Sequence, residues 1–366
     1  MSKFIVADLP ETRVRSPRWR SQSDLMMPQS YGRSCWPQRK IVRESWPEVR
    51  EAIPGSSADP QRPTRIAHLG ATSDGSLPSL DGLFRALTTR NPGREIEVFH
   101  VYLPGTDFRP LFRQVSAGGD LDGRQCASRV FHRVLGASFL NPLFPRQSVD
   151  MTVCHMAAHW LSHVCSSDAS ERAEVARADW FRFWQARVEE MAVGGTVWLT
   201  MLGREVGTSS SAHLPVQLLK AAAHEAARQG WVSSSAAAAL EVPVYRRTLD
   251  EALSPFQESP LSECFHVESA AYRESACPLV SRWCKHRDDA RFAREVARFI
   301  RGFSESVVTR QLFGDRPRVE QRPAVARFFA LVEQQVRELN RPLGLFRRGV
   351  ITLVARRSGL AVPDSL

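Results

Sequence analysis

Short apolar runs alternate with amphipathic helical stretches through roughly the first half of the chain, and this alternation restricts the fold more than any other feature. Apolar runs typical of buried parallel strands are RIAHLG (65–70), EIEVFHVYLPG (95–105), SVDMTVCH (148–155) and TVWLTML (196–202). Between them, LPSLDGLFRALTTR (77–90) and DWFRFWQARVEEM (179–191) place apolar residues at helical spacing. The sequence therefore predicts an α/β fold of the Rossmann-like class, with a doubly wound, largely parallel sheet.

The pattern changes after residue 203, where helical stretches follow one another without buried strands between them. Near the end, GVITLVARR (349–357) again resembles a strand and is predicted to return to the sheet. We therefore expect an α/β core formed by 29–203 and 345–366, with 204–344 inserted as an α-helical cap. Residues 1–28 are polar and lack periodicity, and are expected to form an arm or lid.

Composition and charge exclude several classes of protein. Hydrophobic residues make up 43% of the chain and charged residues 24%, which is ordinary for a soluble globular protein. The formal charge of +10 comes mainly from arginines that are mixed with acidic residues, so no nucleic-acid partner is expected. The seven cysteines form no CxxC pair, and no apolar run is long enough to cross a membrane. A cytoplasmic protein without a membrane partner is therefore expected.

Eight segments resemble, in the same order along the chain, motifs of the plant-type salicylate, benzoate and theobromine (SABATH) methyltransferases. The segments are SYGRSCWPQ (30–38), RIAHLGATSDGS (65–76), VYLPGTDFRPLF (101–112), GASFLNPLFP (136–145), VCHMAAHWLS (153–162), GGTVWLTMLGRE (194–205), LEVPVYRRTLDE (240–251) and REVARFIRGF (294–303). The resemblance implies a class I methyltransferase fold that uses S-adenosylmethionine (SAM) to methylate the carboxylate of a small organic acid from specialised metabolism. It implies no metal. Members of the family are often homodimers, which leaves a homodimer open for this chain.

The family orients the acceptor carboxylate with a glutamine amide and a tryptophan indole, and the matching positions here are Gln38 and Trp160. Both groups donate hydrogen bonds without forming a full ion pair, which would quench the nucleophile. From the residues alone, Gln38 could equally be a surface polar residue and Trp160 a core aromatic.

Four further positions are implied to line the acceptor pocket. Met156 and His159 replace a tyrosine and a methionine of the family motif. Val216 falls near the aromatic residue that covers the substrate ring, and Tyr245 keeps a family position. Methionine and valine form a softer and wider wall, so we expect an acid that is larger or more aliphatic than salicylate.

The resemblance also implies a set of cofactor contacts. Gly70 matches the glycine that lets the backbone approach the methionine moiety, while Ser138 and Phe139 match the pair that contacts adenine. Tyr31 matches a tyrosine that helps to close the site, and Leu103 matches a leucine beside the adenosine.

Three cofactor positions depart from the family pattern. His68 and Tyr102 each stand where the family has an aspartate, and Cys35 replaces a serine. Charged hydrogen bonds contribute about 1.5 to 3 kcal/mol each, so the loss of two carboxylates predicts weakened or absent SAM binding. Two alternatives therefore stay open at this point. One is a cofactor-independent cyclase, isomerase or pericyclase on the same fold, and the other is a protein that acts only as a binding partner.

Three histidines, His155, His159 and His163, are spaced four residues apart in MTVCHMAAHWLSH (151–163). On a helix they would line one stripe, and two of them could bind zinc. The glutamate of an HExxH motif is absent, so no metal site is predicted. The same helix would place Met156 and Trp160 on a second stripe that faces the acceptor.

Overall fold

A computed structural model describes residues 36–53, 62–70, 80–104, 106–116, 129–165, 168–210, 213–258, 260–339 and 348–359. Tyr31, Cys35 and the expected arm 1–28 lie outside these ranges. The strands are β1 Thr64–Leu69, β2 Ile96–Tyr102, β3 Val130–Gly136, β4 Val149–His155, β5 Met191–Leu202, β6 Phe265–Ser275 and β7 Arg348–Arg357. The α-helices are α1 Trp36–Glu44, α2 Trp46–Arg50, α3 Asp81–Arg90, α4 Arg109–Ser116, α5 Ala169–Glu190, α6 Leu214–Arg228, α7 Ser234–Ala238, α8 Leu249–Leu253, α9 Leu261–Cys264, α10 Pro278–His286, α11 Asp289–Phe313 and α12 Arg318–Glu338.

The strands form one seven-stranded sheet in the order β3-β2-β1-β4-β5-β7-β6. The strands from β3 to β5 in this order are parallel, and β7 runs antiparallel to both of its neighbours. The order reverses at β1, so the carboxyl ends of β1 and β4 flank a crevice of the kind in which α/β folds bind ligands. The predicted doubly wound α/β sheet is confirmed, and the last strand returns to it as predicted.

Three apolar clusters organise the molecule. One face of the sheet packs on α1 to α3, where Ile66 and Val98 meet Leu83 and Phe84. The other face packs on the aromatic side of α5. A third cluster is built mainly by α6, α11 and α12, without any strand of the sheet. This separate helical core supports the expected cap, whose boundaries remain a prediction.

Two strands were not predicted. β3 and β6 are the two edge strands of the sheet, and their residues are mostly half-buried or exposed. An edge strand needs no continuous apolar run, so neither strand produced the pattern of a buried strand. Because β6 pairs with β7 along its whole length, part of the segment expected as cap belongs to the sheet.

The helix predicted over the three spaced histidines is wrong. β4 ends at His155, and Met156 then adopts a left-handed backbone conformation with φ 54°. A non-glycine residue in this region ends the strand and cannot begin a right-handed helix. The following residues form a turn, with the Trp160 amide donating to the Ala157 carbonyl at 3.0 Å. His155 therefore ends a strand, His159 lies buried in the turn, and His163 is exposed.

A row of imidazoles crosses three neighbouring strands on the face that packs against α3. His68 on β1 and His100 on β2 are joined by a hydrogen bond of 3.0 Å between their Nδ1 atoms. His100 Nε2 and His132 Nδ1 on β3 are joined by another of 2.9 Å. Burial, with smaller contributions from His155 and His132, lowers the pKa of His68 to about 3. Burial likewise lowers the pKa of His155 to about 3 and holds the pKa of His100 well below its ordinary value.

These neutral imidazoles predict an acid-sensitive fold. They stay unprotonated in the folded chain but take up protons on unfolding below their ordinary pKa of about 6.5. Their contribution to the unfolding free energy is complete above about pH 6.5 and is lost as pH falls toward about 3. Urea titrations between pH 8 and pH 5 should therefore show a falling unfolding free energy. H155Q should weaken the dependence of the unfolding free energy on pH, by an amount that corresponds to the uptake of at most about one proton. The exposed control His286→Gln should leave this dependence unchanged. A profile that does not change with pH would contradict this assignment.

Candidate active site

The carboxyl ends of β1, β2 and β3 meet at one edge of the sheet. The Gly70 amide donates to the Val101 carbonyl at 2.9 Å, and the Ala137 amide donates to the Tyr102 carbonyl at 2.8 Å. These bonds bring Gly70, Tyr102 and the loop with Ser138 and Phe139 together. The sequence-predicted cofactor residues of three separate segments are therefore neighbours.

Gly70 lies where no side chain fits. Its φ is +72°, and a Cβ placed on it would collide with the Cβ of Ala157 in the turn after β4. The same Cβ position lies 4.0 Å from Phe139 Cε1. Glycine therefore allows the turn after β4 to pack directly against the end of β1.

A buried ion pair holds the loop that carries Ser138 and Phe139. Arg187 on α5 donates through Nη1 to the Phe139 carbonyl at 3.0 Å and through Nε to Glu190 Oε2 at 2.9 Å. Glu190 Oε1 in turn accepts from the amides of Leu143 and Phe144. Both charged side chains are fully buried, so each depends on the other and on the loop backbone for compensation.

The two family aspartate positions have different surroundings. His68 is 1% exposed and is bonded to His100 inside the sheet, so its ring does not extend past Gly70 to the edge. Tyr102 ends β2 and is half-buried beside that edge. Leu103 follows it and packs against the helical cluster that also contacts Trp160.

Next to this edge lies a largely apolar cavity with a few polar side chains in its wall, which is the usual character of a small-molecule site. Four predicted acceptor residues line it: Gln38, Met156, His159 and Trp160. The apolar wall is completed by Leu202, Leu214, Pro215, Val244, Phe299 and Phe303, among others. The structure thus brings α1, the turn after β4 and the helical cluster together around one space.

Backbone pairing and one buried arginine position the turn that carries Trp160. Trp160 forms an antiparallel bridge with Val244, and the Tyr245 amide donates to the His159 carbonyl at 2.8 Å. Arg247 donates to the Ala158 carbonyl through Nη1 at 3.0 Å, and its guanidinium stacks over Trp180 at 4.8 Å. Burial lowers the pKa of Arg247 to about 10, which leaves it charged at neutral pH.

Two predicted acceptor residues do not line this cavity. Tyr245 is 5% exposed, and its hydroxyl donates to Glu251 at 2.8 Å on the far side of the bridged segment. Val216 is buried among the cap helices, because α6 begins at Leu214 and turns Val216 toward the helical core. Leu214 and Pro215 occupy the wall in its place.

Three polar residues of the cavity were not predicted as site residues. His213, Arg246 and Arg348 line it, and of these only Arg246 lies in a segment that resembles a family motif, LEVPVYRRTLDE (240–251). Their only sequence signal is position, because Arg246 follows the bridged segment VPVY and Arg348 begins β7. Burial, with smaller contributions from His213 and Arg247, lowers the pKa of His159 to about 3, so His159 is neutral.

No group of three or more histidine, cysteine, aspartate or glutamate residues among those described is arranged to hold a metal ion. Within the same ranges, no helix combines the length and apolar character needed to cross a bilayer.

Comparison with known proteins gives consistent results. The family model described as SAM dependent carboxyl methyltransferase matches residues 26–177 and 174–340. Salicylate carboxymethyltransferase of Clarkia breweri is 25% identical over 276 residues, covering 68% of this chain and 76% of the relative. Gibberellic acid methyltransferase 2 of Arabidopsis thaliana is 25% identical over 229 residues, and that alignment covers 52% of this chain. The chain spans only 58% of that relative's length.

The fold also matches a solved structure of loganic acid methyltransferase with S-adenosylhomocysteine (SAH). The TM-score is 0.74 at 19% identity, and the match covers 90% of this chain and 97% of the other. At this identity the match establishes the fold alone.

The collision at Gly70 predicts a specific effect of G70A. Both Gly70 and Gly93 have a positive φ, but a Cβ at Gly93 meets nothing within 4 Å. G93A should therefore cost only the left-handed strain of about 1–2 kcal/mol. G70A adds the clash with Ala157 and should destabilise the fold further and weaken SAM binding, as measured by urea unfolding and calorimetry. Equal losses of stability and equal SAM affinity in the two variants would contradict the close-packing role.

The buried ion pair predicts that E190Q disturbs the cofactor loop. The variant keeps the shape of the side chain but leaves Arg187 buried without a counter-charge, which costs about 3–5 kcal/mol. Unfolding free energy and SAM affinity should fall together, because the same carboxylate holds the amides of Leu143 and Phe144. The control is E225Q, which removes the acid of the surface ion pair between Glu225 and Arg228, at the same spacing of three residues. It should change the unfolding free energy and the SAM affinity only slightly. If E190Q lowered the unfolding free energy without changing SAM affinity, the proposed role of Glu190 in holding the cofactor loop would be wrong.

Proposed function

The chain belongs to the SAM-dependent carboxyl methyltransferase family, and from this premise we propose that it transfers a methyl group from SAM to the carboxylate of a small organic acid. The observation that carries the proposal is the shared turn after β4. On one side Ala157 packs against Gly70 at the predicted cofactor edge, and on the other Met156 and Trp160 line the cavity. An acceptor in the cavity would therefore lie next to a methyl donor at the edge.

The residues at the edge fit SAM as the cofactor. Gly70, the half-buried Tyr102 and the braced loop with Ser138 and Phe139 lie together at this edge. His68 is turned into the sheet, where it bonds to His100. SAM, when bound, supplies a methyl group on a sulfonium that leaves as a neutral thioether.

Gln38 and Trp160 are proposed to orient the acceptor carboxylate. Among the described residues, no protein group accepts a hydrogen bond from the Trp160 indole, whose side chain borders the cavity. Together with the Gln38 amide, this donor can hold one carboxylate oxygen and leave a lone pair on the other for attack. Holding reactants in this way can supply about 7–11 kcal/mol of the barrier.

The apolar wall of the cavity is proposed to favour methyl transfer because the reaction neutralises charge. The reaction joins an anion to a cation and yields two neutral products, so charge disappears on the way to the transition state. A poorly polar cavity disfavours the separated charges more than the transition state and therefore accelerates the transfer. A carboxylate is already ionised at neutral pH, and no general base is required. The neutral His159 does not form an ion pair with it.

The proposed acceptor is larger or more aliphatic than salicylate. The aliphatic and phenylalanine side chains of the cavity wall support the aliphatic character of the acceptor. The alternative of a cofactor-independent cyclase or isomerase is not favoured, because the relatives named above are methyltransferases.

Calorimetric titration of SAM and SAH into the purified protein tests the proposed function directly. Both should bind, and incubation with SAM and a panel of aliphatic and aromatic acids should give methyl esters that mass spectrometry detects. No binding at millimolar ligand would overturn the methyltransferase assignment for this chain.

Q38A and W160F should impair methyl transfer without loss of SAM binding. Each removes one donor to the carboxylate, and W160F keeps most of the packing. A hydrogen bond to a charged group supports a fall in kcat/KM of roughly tenfold to a hundredfold for each variant. Trp231→Phe, which changes an indole outside the cavity, is the matched control. A loss of SAM affinity in both variants would show that the two residues serve the cofactor instead.

A further inference from the structure

The segment 241–246 contributes to the wall of the cavity and pairs with the turn that carries Trp160. Trp160 itself forms the antiparallel bridge with Val244. Two backbone hydrogen bonds, each from an amide to a carbonyl, flank this bridge and run from Tyr245 to His159 at 2.8 Å and from Leu161 to Pro243 at 2.9 Å. The segment belongs to no helix and to none of the named strands. The placement of Trp160 therefore depends on whatever holds an otherwise irregular stretch of chain.

Glu241, at the start of this segment, is held by three helices. Its carboxylate accepts from Arg172 of α5 through Oε2 at 2.9 Å and from Lys220 of α6 through Oε1. Its amide donates to Gln311 Oε1 of α11 at 2.9 Å, and its carbonyl accepts from Gln311 Nε2 at 2.7 Å. Both carboxylate oxygens and both backbone polar groups of Glu241 are thus bonded, which fixes the position and the orientation of the residue.

Arg172 extends this junction toward Trp160. Besides its bond to Glu241, its guanidinium donates through Nη1 to the Val242 carbonyl at 3.3 Å. The same carbonyl accepts from the Val244 amide at 2.8 Å, so the contacts continue to the residue that forms the bridge with Trp160. The side chains of Arg172 and Glu241 are only 3% and 9% exposed. A buried ion pair is often no more stabilising than apolar packing, so the geometry that it imposes is the better explanation of its presence.

We propose that Glu241 is a positioning residue of the acceptor site, which fixes the segment that pairs with Trp160 and so holds the indole where it can orient the reacting carboxylate. The inference rests on the proposed function. Glu241 belongs neither to the described lining of the cavity nor to the residues gathered at the cofactor edge. Its loss should therefore slow methyl transfer and leave SAM affinity unchanged. The acceptor site then depends on the packing of α5, α6 and α11, because these helices hold Glu241.

Two variants release the junction in different ways. E241Q removes the charge that holds Arg172 and Lys220, whereas Q311M removes both bonds to the backbone of Glu241 and leaves no buried charge uncompensated. At saturating SAM, each should lower kcat/KM for the acid roughly tenfold, because a misplacement of about 1 Å can cost up to about 100-fold. Calorimetry should give the wild-type SAM affinity for both variants, and thermal melting verifies that they are folded.

The matched control is E258Q. It breaks an exposed ion pair between Glu258 and Arg177, which also joins α5 to a later segment of the chain. Because exposed pairs contribute little, E258Q should change neither kcat/KM nor SAM affinity. A fall in SAM affinity as large as the fall in kcat/KM, in both E241Q and Q311M, would overturn the inference.

A double-mutant cycle shows whether Glu241 acts through Trp160. W160F removes the indole donor, so adding Q311M to W160F should lower kcat/KM by less than about twofold, because no indole remains to be misplaced. Losses that multiply in the double variant would mean that the junction acts independently of the indole, and would also overturn the inference.

Hydrogen exchange separates this inference from the proposed function, because it requires no substrate. In Q311M, peptides that contain the Leu161 and Tyr245 amides should exchange faster than in the wild type, whereas peptides from β1 should not. If SAM binds but no acid is methylated, the proposed function fails, and the exchange of these two amides then decides whether Glu241 positions Trp160. Unchanged protection of both amides would refute the inference, and so would faster exchange throughout the chain.

Discussion

The close approach of Gly70 to Ala157 is the contact on which the rest of the site depends. It joins the turn after β1 to the turn after β4 at the point where the strand order reverses. Because no side chain separates the two turns, the proposed cofactor edge and the proposed acceptor cavity share one wall. A methyl donor and an acceptor bound on its two sides, as proposed, would then be near each other. The left-handed conformation of Met156 completes this arrangement, since it directs the chain from the strand into the cavity wall.

Buried charges fix the loops that the sheet itself does not hold. Arg187 and Glu190 bond to the backbone of the loop after β3, and Arg247 bonds to the backbone of the turn after β4. Replacing such groups with apolar side chains can leave stability unchanged, so stability alone does not explain them. Their directed bonds to carbonyl and amide groups specify the loop conformation, which an apolar contact does not do. The site is therefore positioned by α5 and the segment before α8 as much as by the strands.

The sequence predicted the buried strands of the sheet better than its edge strands. Buried strands have a distinctive apolar pattern, whereas the edge strands β3 and β6 do not. A spacing of four residues indicated a helix over His155 to His163, but the chain turns there, because local spacing does not report the backbone reversal at Met156. Arg246 and Arg348 are close only in the folded chain, so no linear motif joins them. For the same reason the motif position of Tyr245 did not show that its hydroxyl faces Glu251.

The departures from the family pattern have unequal consequences. A carboxylate at position 68 would lie beside His100 inside the sheet, in a space that now holds a neutral imidazole bonded to another. The change at His68 therefore belongs with the histidines of β2 and β3, and alters the interior of the sheet rather than the cofactor edge. Tyr102 is different, because it remains at the edge and a phenol can accept fewer hydrogen bonds than a carboxylate. Any weakening of SAM binding in this chain should therefore be traced to Tyr102 before His68.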